Sequence, residues 1–190
     1  IIYAGYPGVK GGLAVADVLF GDYNPGGKLT LTFPKSVGQL PLNFPTKPNA
    51  QTDEGETARV KGLLYPFGHG LSYTTFSYEN LVVNNKLNEN GQVEVSVDVK
   101  NTGTKDGDEV AQLYIRDVLS SVTTYEKLLK GFERVKLKAG ESKKVSFTLV
   151  PDDLMLWNRE MKQVVEPGDF KVMIGSSSED IRQTAIFTVK

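Results

Sequence analysis

The chain has 190 residues, 39% of them hydrophobic and 24% charged, with a formal net charge of −1. These are ordinary proportions for a globular protein of one or two domains, and so small a net charge gives no general electrostatic reason to bind nucleic acid or an acidic membrane surface. There is no cysteine, which excludes disulfides and cysteine-ligated metal sites. No apolar run approaches the roughly 20 residues of a membrane-spanning helix. No N-x-S/T sequon occurs, which argues against a heavily glycosylated secreted eukaryotic protein.

Residues 1–34 read as strand, glycine turn, short helix, loop and strand. Ile1-Ile2-Tyr3-Ala4 is apolar and β-prone, with no polar lead-in. It resembles the middle of a buried strand, and the expectation is a cut or processed chain whose upstream neighbours are elsewhere. Gly5, Gly8, Gly11 and Gly12 lead into a helix over Leu13 to Phe20, in which Asp17 is the one polar residue. A helix apolar nearly all round is expected to be buried on most faces. Gly21 suits its C-terminal cap. After the turn Asn24-Pro25-Gly26-Gly27, the alternation Leu29, Leu31, Phe33 predicts a second strand. The order suggests the edge of an α/β layer.

Residues 35–75 form a connector. Prolines stand at 34, 41, 45, 48 and 66, and residues 51–61 are polar and charged. The stretch from Tyr65 to Tyr73 is too dense in aromatics and glycines for a free linker, so it is expected to dock on a neighbouring surface.

Residues 76–190 alternate with period 2. The runs are Val93/Val95/Val97/Val99, Val145/Phe147/Leu149, Phe170/Val172/Ile174 and Ala185/Phe187/Val189. Less regular strands fit Phe76–Val83, Glu109–Arg116 and Leu129–Leu137. Asn90-Gly91, Asn101-Thr102-Gly103, Ala139-Gly140 and Pro167-Gly168 supply turns. The fold class is therefore mainly β: an antiparallel sandwich of immunoglobulin or fibronectin type III character, preceded by a small α/β strand–helix–strand remnant. The sandwich is expected to fold cooperatively by itself.

Several ordered motifs carry a resemblance that covers the whole chain. Gly5-Tyr6-Pro7-Gly8 with Gly11-Gly12, Ala16 to Asp22, Asn24-Pro25-x-Gly27-Lys28-Leu29 and Thr32 to Ser36 resemble the end of the second domain of family 3 glycoside hydrolases. Tyr65 to Phe76 is similar to that family's entry into its fibronectin-like third domain. Asn101-Thr102-Gly103, Gly107 to Tyr114, Lys130-Gly131-Phe132 and Glu166 to Phe170 match within it. The resemblance implies the C-terminal part of a β-glucosidase-like enzyme that removes sugars from β-linked glycosides by a retaining mechanism. It also implies partners: the barrel and the rest of the second domain, with a carbohydrate substrate only in the full-length enzyme. A bacterial, periplasmic or secreted location is expected, as is self-association of this chain alone. No cofactor, metal or nucleic acid is implied.

Retaining glycoside hydrolysis needs two carboxyl groups about 5 Å apart across the scissile bond. The family's nucleophile is an aspartate usually followed by tryptophan, on the barrel. Here the only tryptophan is Trp157, preceded by Leu156, and the only histidine is His69, set between Gly68 and Gly70 rather than in the family's Lys-His pair. No catalytic residue is therefore carried onto this sequence, and the residues that would touch a sugar are not readable from it. Asp17 reads as a structural hydrogen-bond partner for a nearby loop amide rather than a catalytic acid. Asp152-Asp153 and Glu179-Asp180 read as turn or cap carboxylates. His69 reads as a packing or surface residue, and Trp157 as a core aromatic rather than a sugar platform. The lysines at 136, 138, 143 and 144 read as solvated strand faces. The glycines at 5, 8, 11 and 12 fit neither a P-loop nor a dinucleotide fingerprint. Residues 76–190 alone would also suit a non-catalytic fibronectin-like binding or adhesion module, but such a module has no need of residues 1–75.

Overall fold

The computed structural model describes residues 1–48, 60, 62–84 and 91–190. Helix α1 spans Gly11–Phe20 and ends on Gly21, whose φ of 84° lets its N–H reach the Val18 carbonyl. Phe33–Pro34 (β1) pairs antiparallel with Leu63–Tyr65 (β2). The sandwich strands follow: Phe76–Val83 (β3), Val93–Asn101 (β4), Gly107–Asp117 (β5), Leu128–Leu137 (β6) and Ser142–Leu149 (β7). A one-turn helix, Pro151–Leu154 (α2), leads to a small hairpin of Leu156–Trp157 (β8) and Gln163–Val164 (β9). Gly168–Gly175 (β10) and Ile181–Val189 (β11) complete the chain.

Two antiparallel sheets face each other. One has the order β3-β4-β7, the other β11-β10-β5-β6. The predicted strands of residues 76–190 all form, because each puts one apolar row into a shared core. Val93, Val95, Val97 and Val99 of β4 meet Ala111, Leu113 and Ile115 of β5, and Phe170, Val172 and Ile174 of β10. Phe170 stacks on Phe187 with ring centroids 5.5 Å apart. Each fully buried aliphatic side chain contributes about 1.5–3 kcal/mol. The turn predicted at Asn90 and the polar stretch of residues 51–61, apart from Val60, lie outside the described residues.

Strand β5 departs from simple alternation. Ala111 to Ile115 are buried in an unbroken run. Its inner residues face the sandwich core, and its outer residues Gln112 and Tyr114 are covered by the connector.

Residues 1–34 differ from expectation in three respects. Ile1 to Ala4 is irregular and exposed rather than a strand, because no described backbone stands beside it to accept its hydrogen bonds. The Leu29–Phe33 strand reduces to β1. Leu29 exchanges backbone bonds with Gly68 and His69, while Leu31 points to solvent. Helix α1 forms, but Leu13, Leu19 and Phe20 are exposed rather than buried.

Candidate functional site

The connector is fastened to the outer face of the four-stranded sheet. Gln112 Nε2 donates to the Ser176 carbonyl at 2.6 Å and to the Gly68 carbonyl at 3.2 Å, and Tyr114 Oη donates to Gln112 Oε1 at 2.5 Å. Phe44 stacks on Phe67 at 4.5 Å and meets Tyr114 edge-on at 5.7 Å. Burial raises the Tyr114 phenol well above its ordinary range. Gly68, at φ 81°, lies so close to the Gln112 amide that a Cβ there would collide with it.

A second contact sits at the Gly107 end of β5. Glu109 shares the core face with Ala111 and Leu113 and is only 3% exposed. It accepts from Tyr78 Oη at 2.8 Å and from Lys28 Nζ at 3.3 Å. Burial pushes its carboxyl above the ordinary range, and Lys28 and Tyr78 offset this only in part. Lys28 thus ties the Asn24–Leu29 turn into the sandwich. Asn24 adds three bonds: Nδ2 donates to the Asp106 carbonyl at 2.9 Å, and Oδ1 accepts from Ser72 Oγ at 2.9 Å and Tyr73 N at 2.8 Å. Arg134 bridges Asp108 and the Tyr23 hydroxyl. Beside them, buried Asn101 receives Thr74 Oγ1 at 2.7 Å and donates to the Lys105 and Leu137 carbonyls.

This polar frame holds an apolar segment in the open. Tyr73 Oη donates to the Val18 carbonyl at 2.7 Å and so anchors the C-terminal end of α1. Ile1, Tyr3, Tyr6, Val9, Leu13 and Phe20 remain exposed. Apolar side chains exposed along one segment offer a surface on which a further domain can pack. Chemically, the arrangement can position a covering domain against the sandwich.

It does not assemble a hydrolytic pair. Glu109 is the one fully buried acid among the described residues, and its Oε1 already accepts from both Lys28 and Tyr78. Asp17 is half-buried, with no side-chain hydrogen bond to a loop amide among the described residues. Its backbone carbonyl accepts from Tyr23 N instead. Asp153 bonds the Val150 amide at the start of α2, and Asp180 braces the turn before β11 through Ser176 and Arg182. His69 is half-buried and stacks on Tyr65 at 5.2 Å, a packing role. Lys136, Lys138, Lys143 and Lys144 are exposed. Trp157 overturns expectation. It is 56% exposed, because Leu156 takes the inward position of β8 and period 2 turns its neighbour to solvent. Among the described residues, no group of His, Asp or Glu could hold a metal ion, and no helix is long and apolar enough to cross a membrane.

Sequence reasoning missed Lys28, Glu109 and Gln112. One signal was available for Glu109: it stands two residues before Ala111, on the row that faces the core, where a carboxylate requires a partner. Nothing local indicated which lysine would supply it.

A fibronectin-like sandwich with a helix-bearing N-terminal segment bonded to it makes a two-part module. Residues 1–73 match the glycosyl hydrolase family 3 C-terminal domain, and residues 109–178 match the fibronectin type III-like domain. The chain belongs to glycoside hydrolase family 3 and carries these two C-terminal parts of it. It is 48% identical to a β-xylosidase of Formosa agariphila, across 100% of this chain and 27% of that protein. It is 44% identical to the periplasmic β-glucosidase of Salmonella typhimurium, across 96% of this chain and 25% of that protein. The chain thus spans about a quarter of the length of these curated relatives. Among solved structures, a β-glucosidase from Erythrobacter marinus superimposes with a TM-score of 0.90 at 40% identity, over 98% of this chain and 25% of that one. A β-glucosidase from Listeria innocua in complex with glucose gives 0.87 at 36% identity, over 96% and 27%.

Proposed function

We propose that this chain is the non-catalytic C-terminal part of a retaining β-glycosidase acting on β-glucosides or β-xylosides, with both catalytic carboxyl groups outside it. Residues 1–34 complete the α/β second domain, residues 35–75 connect, and residues 76–190 brace the assembly. The observation that carries this reading is the apolar face of residues 1–20, held open by the polar frame around Asn24, Lys28 and Arg134. A free-standing adhesion module would have no use for such a face. The parent is placed in the periplasm or outside a bacterial cell. Support for this comes from the periplasmic relative.

The test uses chromogenic aryl β-glucoside and β-xyloside. The chain alone is expected to give no turnover. Co-expression with the upstream part of its parent should yield a stable complex that cleaves at least one of the two. Turnover by the repurified chain alone, lost on changing a residue within it, would overturn the reading.

A further inference from the structure

The chain has no cysteine and three methionines, Met155, Met161 and Met173, so its sulfur is all thioether. The fold puts the three in different surroundings. Met173 lies on β10 opposite Tyr114 of β5 and Thr184 of β11 and is 6% exposed. Met155 follows the one-turn helix α2, next to buried Leu154, and is 38% exposed. Met161 stands in the turn of the β8–β9 hairpin and is 74% exposed. The turn fixes it there. Asn158 Oδ1 accepts from the Glu160 and Lys162 amides at 3.0 Å, Asn158 N donates to the Lys162 carbonyl at 3.0 Å, and Met161 N donates to the Asn158 carbonyl at 3.1 Å. These bonds hold Met161 at φ 57°, a conformation costly for a non-glycine residue. Its sulfur takes part in none of them, and Met161 lies outside the buried apolar cluster.

We propose that Met161 is a reversible oxidation site, where the thioether takes one oxygen from a hydroperoxide and becomes the sulfoxide. A lone pair on Met161 Sδ attacks the terminal peroxide oxygen and the O–O bond breaks. A proton passes to the departing oxygen, which leaves as water when the oxidant is hydrogen peroxide and as an alcohol when it is an organic hydroperoxide. Sulfur loses an electron pair and the peroxide takes it up, so no further reagent is needed. A thioether, unlike a thiol, is nucleophilic without losing a proton. Its rate is therefore set by how freely the oxidant reaches sulfur, and exposure ranks the three methionines.

The same ranking decides what oxidation does to the fold. A sulfoxide replaces an apolar group with a polar one. At Met161 the new oxygen enters water, and the backbone bonds of the turn stay as they are. At Met173 it would be buried on the sheet, where a polar group without a partner is costly. The hairpin thus presents a sulfur that consumes oxidant without loss of the sandwich, and a methionine sulfoxide reductase can restore it. This inference does not rest on the activity of the parent or on where its catalytic carboxyl groups lie.

The test treats the intact chain with hydrogen peroxide at neutral pH, quenches samples with free methionine, and follows each methionine by mass spectrometry of its peptide. Met161 should oxidise at least about threefold faster than Met155 and at least about tenfold faster than Met173. In concentrated urea, which removes the shielding of the fold, the three rates should converge. The chain oxidised at Met161 alone should keep its melting temperature, and methionine sulfoxide reductases of both epimer specificities should together return it to its original mass. Met161→Leu should abolish the fastest phase of oxygen uptake and leave the rates at Met155 and Met173 unchanged. Oxidation of Met155 or Met173 as fast as Met161 in the folded chain would overturn the proposal. So would an order of rates that persists in urea, a lower melting temperature after oxidation at Met161, or a sulfoxide that the reductases leave in place.

Discussion

Glu109 shows how one buried side chain couples two parts of the chain. Its folded pKa lies above its ordinary value of 4.5, chiefly through burial, with Lys28 and then Tyr78 pulling it back. A carboxyl whose folded pKa exceeds its unfolded one holds more protons when folded between those two values. Its contribution to stability is therefore greatest in acid and falls as pH rises through that window. Glu109→Gln removes this titration and leaves an acceptor for Lys28 and Tyr78. Relative to wild type, the glutamine variant should gain stability as pH climbs from below 4.5 through the window, measured by denaturant unfolding at several pH values. A difference that stays flat would show that Glu109 is not titrating in a buried state. Asn101→Ala strands the Leu137 and Lys105 carbonyls and the Thr74 hydroxyl, and should cost about 2–4 kcal/mol. Trp157→Ala should cost less than about 1 kcal/mol, because more than half of that side chain already faces water.

Among the elements, the sandwich and its connector are separable in core but not in surface. Every member of the buried apolar cluster lies between Tyr78 and Val189, so residues 76–190 carry a complete core. They should fold alone, with a β-type circular dichroism spectrum and a single thermal transition. Yet that truncation removes Phe44, Phe67 and Lys28, which uncovers Gln112 and Tyr114 and leaves Glu109 without its cation. Its melting point should fall at least about 4 °C below that of a chain beginning at Asp22. Equal melting points would mean that the connector contacts contribute nothing.

For the whole molecule, the decisive feature is the imbalance between a polar, tightly bonded frame and the apolar residues it leaves open. The irregular stretch from Ile1 to Val9 and helix α1, which has almost no polar face, expose aliphatic and aromatic side chains. The intact chain should therefore self-associate in light scattering, and the chain beginning at Asp22 should run as a monomer. A monomeric intact chain would show that the face is satisfied within the molecule.

The seven sandwich strands were legible because period 2 is a local pattern. Val93 to Val99 and Phe170 to Ile174 each specify a buried face without reference to any partner, and the glycine turns between them limit where strands can end. Helix α1 and its Gly21 cap were legible for the same reason, as were the family motifs. Burial was not always legible, since it depends on what stands opposite. Ile1 to Ala4 and α1 have strongly apolar sequences, but only neighbouring backbone could have made the first a strand and only a neighbouring surface could have buried the second. Trp157 looked like a core residue by type, and one position of register behind Leu156 turned it outward. The partnership of Lys28 with Glu109, 81 residues apart, and the cover that Phe44 and Phe67 give to Tyr114 exist only once the connector folds back over β5. The sequence by itself thus determined the sandwich strands, the described turns between them and the family. The tertiary structure alone decided which polar groups meet and which apolar faces stay open, because both depend on contacts between residues far apart in the chain.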